Sequence, residues 1–304
     1  MQIQIFYVEI ATMNNPNKYT ERANLLANRD AIDADLRYAL TGELPYTWRN
    51  QPTNEPATAR CGKHGEYREY SFQVQLPKHP AHRMHSGCPE CLRADLDNAE
   101  RALLDHRIAD LLTDAGIGRR FEFCELENYE PVTPAAESNR DACLRYANSW
   151  PEYLSAGISM AMIGRCGTGK NHLAVGLAKK IIRDHQARVL FTDVMQISRS
   201  VKSTWRSNAE RTESDVLADF TSPDLLIIDE LGAQLGNLSE LAILQELINT
   251  RYESMLPTIV ISNLTLEQLR QGVGDRIVDR VTDGGNNRLI FDWASYRGKG
   301  STAA

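Results

Sequence analysis

The sequence predicts an α/β fold, a three-layer sandwich around a parallel sheet, preceded by a small module bearing cysteine and histidine. Two observations point to the sandwich. From about residue 135 onward, apolar runs of strand length alternate with helical patterns: "ISMAMIG", "RVLFTDV", "DLLIIDE", "TIVISN" and "RLIFDW". These runs are continuous rather than alternating, as in strands buried on both faces of a parallel sheet. Five of them with helices between require a helical layer on each side. A third observation, Cys and His clustered between residues 61 and 91, sets off the smaller module.

Composition narrows the class. At 304 residues the chain has room for one substantial domain and a smaller one. Its 42% hydrophobic and 24% charged residues are ordinary for a soluble globular protein. No apolar stretch is long enough to cross a bilayer, so no membrane association is expected. The start, "MQIQIFYVEIATMNN", lacks a basic segment and a small-residue cleavage site, so a signal peptide is not expected and the cytoplasm is the default. Six cysteines make no disulfide framework in a chain of this size. The net charge of −6 argues against a surface coated in positive charge for nucleic acid. Between Arg165 and Arg211, however, ten Lys and Arg face three acidic residues. Such a stretch fits either a phosphate-facing surface or a set of solvated helix faces.

Four segments follow in order. Residues 1–60 hold a short strand-like start, a plausible helix in "YTERANLLANRDAIDADLRYAL", and a polar, Pro-containing linker, "NQPTNEPATAR". Residues 61–91 hold the Cys/His cluster, and residues 92–130 are read as a helical linker. There Leu92, Leu96, Leu103, Ile108, Leu111 and Leu112 recur at helical spacing and end at Gly116. Residues 131–304 carry the α/β domain.

The chemistry-bearing stretch of that domain is "IGRCGTGKNHLA". Gly164, Gly169 and Lys170 meet the phosphate-loop pattern, with Arg165, Cys166, Gly167 and Thr168 between them and Asn171 and His172 beyond. The loop follows a strand and opens a helix. Backbone N–H groups can therefore wrap phosphates, the helix dipole adds to them, and Lys170 is placed for the β and γ phosphates of ATP or ADP. Asn171 stands where a hydroxyl would meet Mg²⁺. Its amide oxygen can accept the metal or its water, but it is neutral and longer, so weaker metal binding and a slow switch are expected. At the end of "DLLIIDE", Asp229 is placed to hold hydrated Mg²⁺ and Glu230 to deprotonate the attacking water. "TIVISN" ends at Asn263, an amide suited to the γ-phosphate or that water.

Two further features stand apart from the nucleotide site. In "QISRSVKSTWRSNAERTESD", Trp205 lies between Lys202 and Arg206. A ring for base stacking among cations for phosphates is a single-strand binding arrangement. A core tryptophan on an amphipathic helix is the alternative. Earlier, "CGKHG" supplies Cys61 and His64, and "GCPEC" supplies Cys88 and Cys91, with 23 residues between the pairs. Cys₃His is an accepted structural Zn²⁺ set. "EYSFQVQL" between the pairs alternates Tyr70, Phe72, Val74 and Leu76 with polar residues, as a half-buried strand does, so a zinc ribbon is expected. His79, His82 and His85 are rival ligands, read as loop residues. Cys124, Cys143 and Cys166 are read as small apolar or incidental.

"GTGKNHLA", "DLLIIDELG", "ISN", "DRIVDRV" and "FDWASYR" together resemble the DnaC-type replicative helicase loaders, a branch of the AAA+ ATPases. The resemblance covers roughly residues 117–300 and implies a lidless AAA+ P-loop ATPase. In that family Asn follows the P-loop lysine. The resemblance also implies an arginine finger acting on a neighbouring subunit, matched by Arg280 or, less favoured, Arg276. Arg297 in "ASYR" matches the second sensing arginine. It places a single-strand DNA-binding insertion around Trp205. Phage and prophage loaders carry a similar Cys-x2-His-Gly and Cys-Pro-x-Cys module. The implied partners are the replicative hexameric DNA helicase, single-stranded DNA and further copies of this chain, with residues 1–60 as a docking region. The alternatives are an IstB-type transposition helper, which usually carries Thr at position 171, and a DNA-binding adaptor that holds ATP without hydrolysing it.

Overall fold

The computed structural model describes residues 21–44, 54–74, 80–232 and 238–296. The chain divides into two compact units, with the division between Arg107 and Ile108. No helix among the described residues is long and apolar enough to cross a membrane.

In the first unit, helix α1 (Glu21–Thr41) precedes two antiparallel strand pairs. Strands β1 (Ala57–Cys61) and β2 (Gly65–Glu69) form a hairpin that closes at Cys61 opposite Gly65. Strands β3 (Ser71–Val74) and β4 (His82–His85) pair with Phe72 opposite Met84. The expected alternation is present in β3, where Phe72 and Val74 are buried. They pack against Tyr38 of α1, whose ring meets Phe72 edge-on at 5.4 Å between centroids. Such pairs contribute beyond the area they bury. Leu76 and His79 lie outside the described residues. Helix α2 (Pro89–Asp114) begins earlier than the leucine spacing suggested, so Cys91 falls in its first turn.

The second unit is the predicted sandwich. Strands β5 (Met160–Gly164), β6 (Val189–Asp193), β7 (Leu225–Asp229), β8 (Thr258–Ser262) and β9 (Arg288–Phe291) form one five-stranded sheet. All pairings are parallel, in the order β6-β7-β8-β5-β9. Successive strand residues point to opposite faces. Accordingly Met160 and Met162 join one apolar core, while Ala161 and Ile163 join the other. The first core takes in α3 (Pro134–Asn148), α4 (Trp150–Ser155) and α5 (Lys170–His185). The second takes in α6 (Val194–Ser203), α7 (Glu213–Thr221), α8 (Leu238–Glu253), α9 (Leu266–Val273) and α10 (Asp275–Thr282).

Several helices start where their sequence requires. Thr133 caps α3 by accepting from Ala136 N, and Asp193 caps α6 by accepting from Gln196 N. Thr212 with Asp215, and Thr265 with Gln268, form reciprocal capping boxes at α7 and α9. One cation is wholly internal. Arg251 of α8 is 0% exposed and donates to the carbonyls of Phe220, Pro223 and Pro257 and to the Thr258 hydroxyl. Burial lowers its pKa to about 10. These oxygen partners satisfy the guanidinium's donors, which is what lets a charge be kept there.

Candidate nucleotide site

Strand β5 delivers the chain to Gly164, and α5 starts at Lys170. Glycine is required at two points of the intervening loop. Gly164 has φ 131°, and a Cβ there would lie 2.2 Å from the Phe291 carbonyl oxygen of β9. Gly169 has φ 95°, and its Cβ would lie 2.7 Å from the Tyr129 ring. Lys170 is 5% exposed, and its Nζ donates to the Gly164 and Arg165 carbonyls, each at 2.7 Å. The ammonium is therefore held at the mouth of its own loop. The Thr168 hydroxyl donates to Arg165 O at 2.7 Å, which braces the loop from within.

The loop opens on a cleft of about 660 Å³, within the usual range for small-molecule sites. Of the residues singled out by sequence, Cys166, Gly167, Thr168, Gly169, Lys170, Asn171, His172, Asp229, Glu230 and Asn263 line it. Asp229 ends β7, and Asn263 follows β8. Because β7 and β8 are neighbours in the sheet, their polar ends converge at one edge of the cleft. Glu230 adopts φ 58°, a left-handed conformation costly for a non-glycine residue. Its N–H donates to Asp229 Oδ1 at 2.7 Å. Asn171 Nδ2 donates to Asp229 Oδ2, which ties the loop to the acidic strand end.

Other expected residues are placed differently. His172 lines the cleft, but its Nε2 meets Glu125 O at 2.9 Å and Asn128 Oδ1 at 2.8 Å. It fastens the 119–130 segment to α5. Gly164 and Arg165 shape the loop without lining the cleft. Arg276 and Arg280 do not line it in their own chain either. Asp275 and Asp279, which precede them in the sequence, both pair with Arg270, at 3.5 and 3.2 Å. Arg297 lies outside the described residues.

Sequence reading missed the segment that covers the loop. Tyr129, Trp293 and Tyr296 all line the cleft. Trp293 Nε1 donates to Thr168 O at 3.1 Å, and Tyr296 N donates to Gly167 O at 2.7 Å. Glu125 receives both arms of Arg183, at 2.7 and 2.9 Å, and Lys179 at 3.2 Å. Burial pushes the Glu125 carboxyl up, but these two cations outweigh it and hold the group below the usual range. The aromatic residues of "ENYEP" and "FDWASYR" were the visible signal.

In the first unit, Cys61, His64, Cys88 and Cys91 bring their ligand atoms within 4.8 Å of one another. His64 Nδ1 is 3.7, 3.5 and 3.4 Å from the sulfurs of Cys61, Cys88 and Cys91, and Cys61 and Cys91 are 3.7 Å apart. Tetrahedral Zn²⁺ with ligands at about 2.0–2.3 Å gives edges of about 3.5–3.8 Å, so the donor set fits that ion. His85 is not in the cluster but pairs with Glu69 at 2.9 Å, and both His82 and His85 belong to strand β4 rather than to a loop.

Trp205 follows α6 in a turn and is 55% exposed, so the core alternative does not hold. Its Nε1 donates to Glu213 Oε2 at 2.8 Å. Arg206 is exposed, whereas Lys202 pairs with Glu240 at 2.9 Å. The local positive charge is largely neutralised within the fold. Lys179, Lys180, Arg183, Arg188, Lys202 and Arg211 all pair with carboxylates.

A phosphate loop after β5, acids at the end of β7 and an amide just after β8, in this strand order, define a P-loop ATPase of the AAA+ type. The family described as IstB-like ATP binding protein matches residues 149–301. Replicative helicase loader DnaC of Buchnera aphidicola subsp. Schizaphis graminum is 32% identical over 187 residues, 62% of this chain and 74% of that protein. Replicative helicase loader DnaC of Escherichia coli K12 is 31% identical over 207 residues, 68% of this chain and 81% of that protein. The fold is shared with a crystal structure of the DnaC helicase loader, at TM-score 0.53 and 20% identity, over 58% of this chain and 100% of the other. The chain belongs to the DnaC-type replicative helicase loaders, within the IstB-like ATP-binding proteins.

Proposed function

We propose that this chain is a cytoplasmic, ATP-dependent loader of the replicative hexameric DNA helicase onto single-stranded DNA. The observation that carries the reading is the convergence of Lys170, Asn171, Asp229, Glu230 and Asn263 on one cleft, in a chain whose relatives are named helicase loaders.

Within that cleft the loop N–H groups bind the phosphates, and Lys170 turns from its own carbonyls to the β and γ oxygens. Asp229 and the Asn171 amide oxygen would hold Mg²⁺, which when bound neutralises charge on those phosphates. Glu230 takes the proton of the attacking water, and Asn263 orients that water or the γ-phosphate. Tyr129, Trp293 and Tyr296 keep the loop in place against the cleft. Arg280, or alternatively Arg276, reaches the site of a neighbouring copy, and Arg297 senses the phosphate in its own. What supports action in trans is that neither Arg276 nor Arg280 lines the cleft of its own chain.

Hydrolysis is slow and switch-like. ATP sets the state that assembles with helicase and DNA, and ADP releases it. Bases stack on Trp205, with Arg206 on a phosphate and Lys202 joining once it leaves Glu240. Cys61, His64, Cys88 and Cys91 would hold a structural Zn²⁺ in a ribbon spanning residues 61–91, followed by a linker over 92–130 and the ATPase domain over 131–304. Residues 1–60 dock the helicase.

A transposition-helper role is the second reading, favoured by the IstB-like family match. Co-elution separates the two. With ATP, the protein should co-elute with a replicative helicase hexamer, and with ADP it should dissociate. Binding to a transposase instead would favour the second reading.

A further inference from the structure

We infer that Tyr252 is a positioning residue that holds Arg280 ready for an anion outside its own chain. This rests on the trans-acting arginine proposed above and adds to it a residue that sequence reading did not single out.

Helices α8 and α10 pack together, and α10 buries Ile277, Val278 and Val281 in the core. That orientation leaves Arg276 exposed and brings Arg280 over the Tyr252 ring, with the guanidinium carbon 5.2 Å from the ring centroid. Tyr252 is 54% exposed and so offers its ring at the surface. Among the described residues no carboxylate pairs with Arg280. The two on its own helix, Asp275 and Asp279, are both taken by Arg270 of α9. The distinction matters chemically. A carboxylate would fix the arginine but also neutralise it, whereas an aromatic face restricts it and leaves its N–H fork and charge for an incoming phosphate. Restricting a long side chain beforehand removes part of the entropy lost when it engages its target. Arg276 has no ring contact of this kind among the described residues, so the geometry selects Arg280. The anion that fits is the terminal phosphate of a nucleotide held by a second copy of this chain.

The test uses the full chain and steady-state ATP hydrolysis with single-stranded DNA present. Tyr252→Leu should lower kcat about two- to fivefold, in line with the loss of one exposed cation–π contact, with KM unchanged. Tyr252→Phe, which keeps the ring, should hydrolyse like the parent. Mixing Tyr252→Leu with Glu230→Gln, whose own site is inactive but whose Arg280 is intact, should restore hydrolysis at the Tyr252→Leu sites. Parental kcat in Tyr252→Leu alongside a large loss in Arg280→Ala would overturn the role of Tyr252 alone. A Tyr252→Phe as impaired as Tyr252→Leu, or no restoration on mixing, would overturn it too. Parental kcat in Arg280→Ala, or a parent that does not hydrolyse ATP, would instead remove the trans-acting arginine on which the inference stands.

Discussion

Asn171, directly after the P-loop lysine, donates its side-chain N–H to the carboxylate of Asp229 at the end of β7. An ionised carboxylate can only accept, so the amide nitrogen faces Asp229 and the amide oxygen is left for other partners. One side chain thus links the phosphate loop to the acidic strand end while keeping an oxygen suited to Mg²⁺ or its water. A threonine is too short to make both contacts. Metal entry must therefore compete with a hydrogen bond to a charged group, worth about 1.5–3 kcal/mol where such bonds have been measured.

The first prediction follows from that competition. Asn171→Thr should lower the Mg²⁺ concentration needed for half-maximal ATP hydrolysis and raise the basal rate, with ATP affinity retained. A Mg²⁺ titration of the ATPase rate beside nucleotide-binding calorimetry checks it. An unchanged Mg²⁺ requirement would show that the Asn171–Asp229 bond does not govern the metal.

Lys170 and Glu230 should separate binding from hydrolysis. Lys170→Ala removes the buried ammonium at the loop mouth and should abolish nucleotide binding. Glu230→Gln should bind ATP and fail to hydrolyse it. Hydrolysis at the parental rate in both variants would mean the chemistry lies elsewhere.

Elemental analysis should find one Zn²⁺ per chain, held by Cys61, His64, Cys88 and Cys91. Cys88→Ser should destabilise the first unit and leave ATP binding by the second intact, because a ribbon with a small apolar core depends on its metal. A metal-free protein whose β1–β2 hairpin stays protected from hydrogen exchange would contradict this.

Trp205→Ala should weaken single-stranded DNA binding by about 1–3 kcal/mol, the worth of one base stack. The ring is 55% exposed, so the melting temperature should barely move. Arg206→Ala should weaken binding as well and reduce its salt dependence. Anisotropy titrations paired with thermal melts of the same samples decide it. Full DNA affinity in a folded Trp205→Ala protein would take this residue out of the site.

Much of this was legible in the sequence because it depends on short-range pattern. The buried strands announced themselves as unbroken apolar runs, and the phosphate loop, the Asp229–Glu230 pair and the two ligand pairs were each readable within a few residues. What stayed hidden depends on partners far apart in the chain. Glu125 is bound by Lys179 and Arg183, 54 and 58 residues away. Nothing local in "FEFCELENYEP" predicts that it fastens to α5. Lys202 looked available for phosphate until folding placed Glu240 against it. Nothing local in "DRIVDRV" shows that helix packing gives both Asp275 and Asp279 to Arg270. Exposure of Trp205 could not be read from its flanking residues either, since an amphipathic helix could have turned it inward.

As a loader, this ATPase places a replicative helicase on single-stranded DNA. The direct measurement uses closed circular single-stranded DNA carrying a short annealed strand, with a replicative helicase hexamer that has no free end to thread. Release of the annealed strand should require this protein and ATP, and should be lost with Lys170→Ala. Helicase that unwinds equally well without the protein, or with Lys170→Ala in its place, would contradict the account.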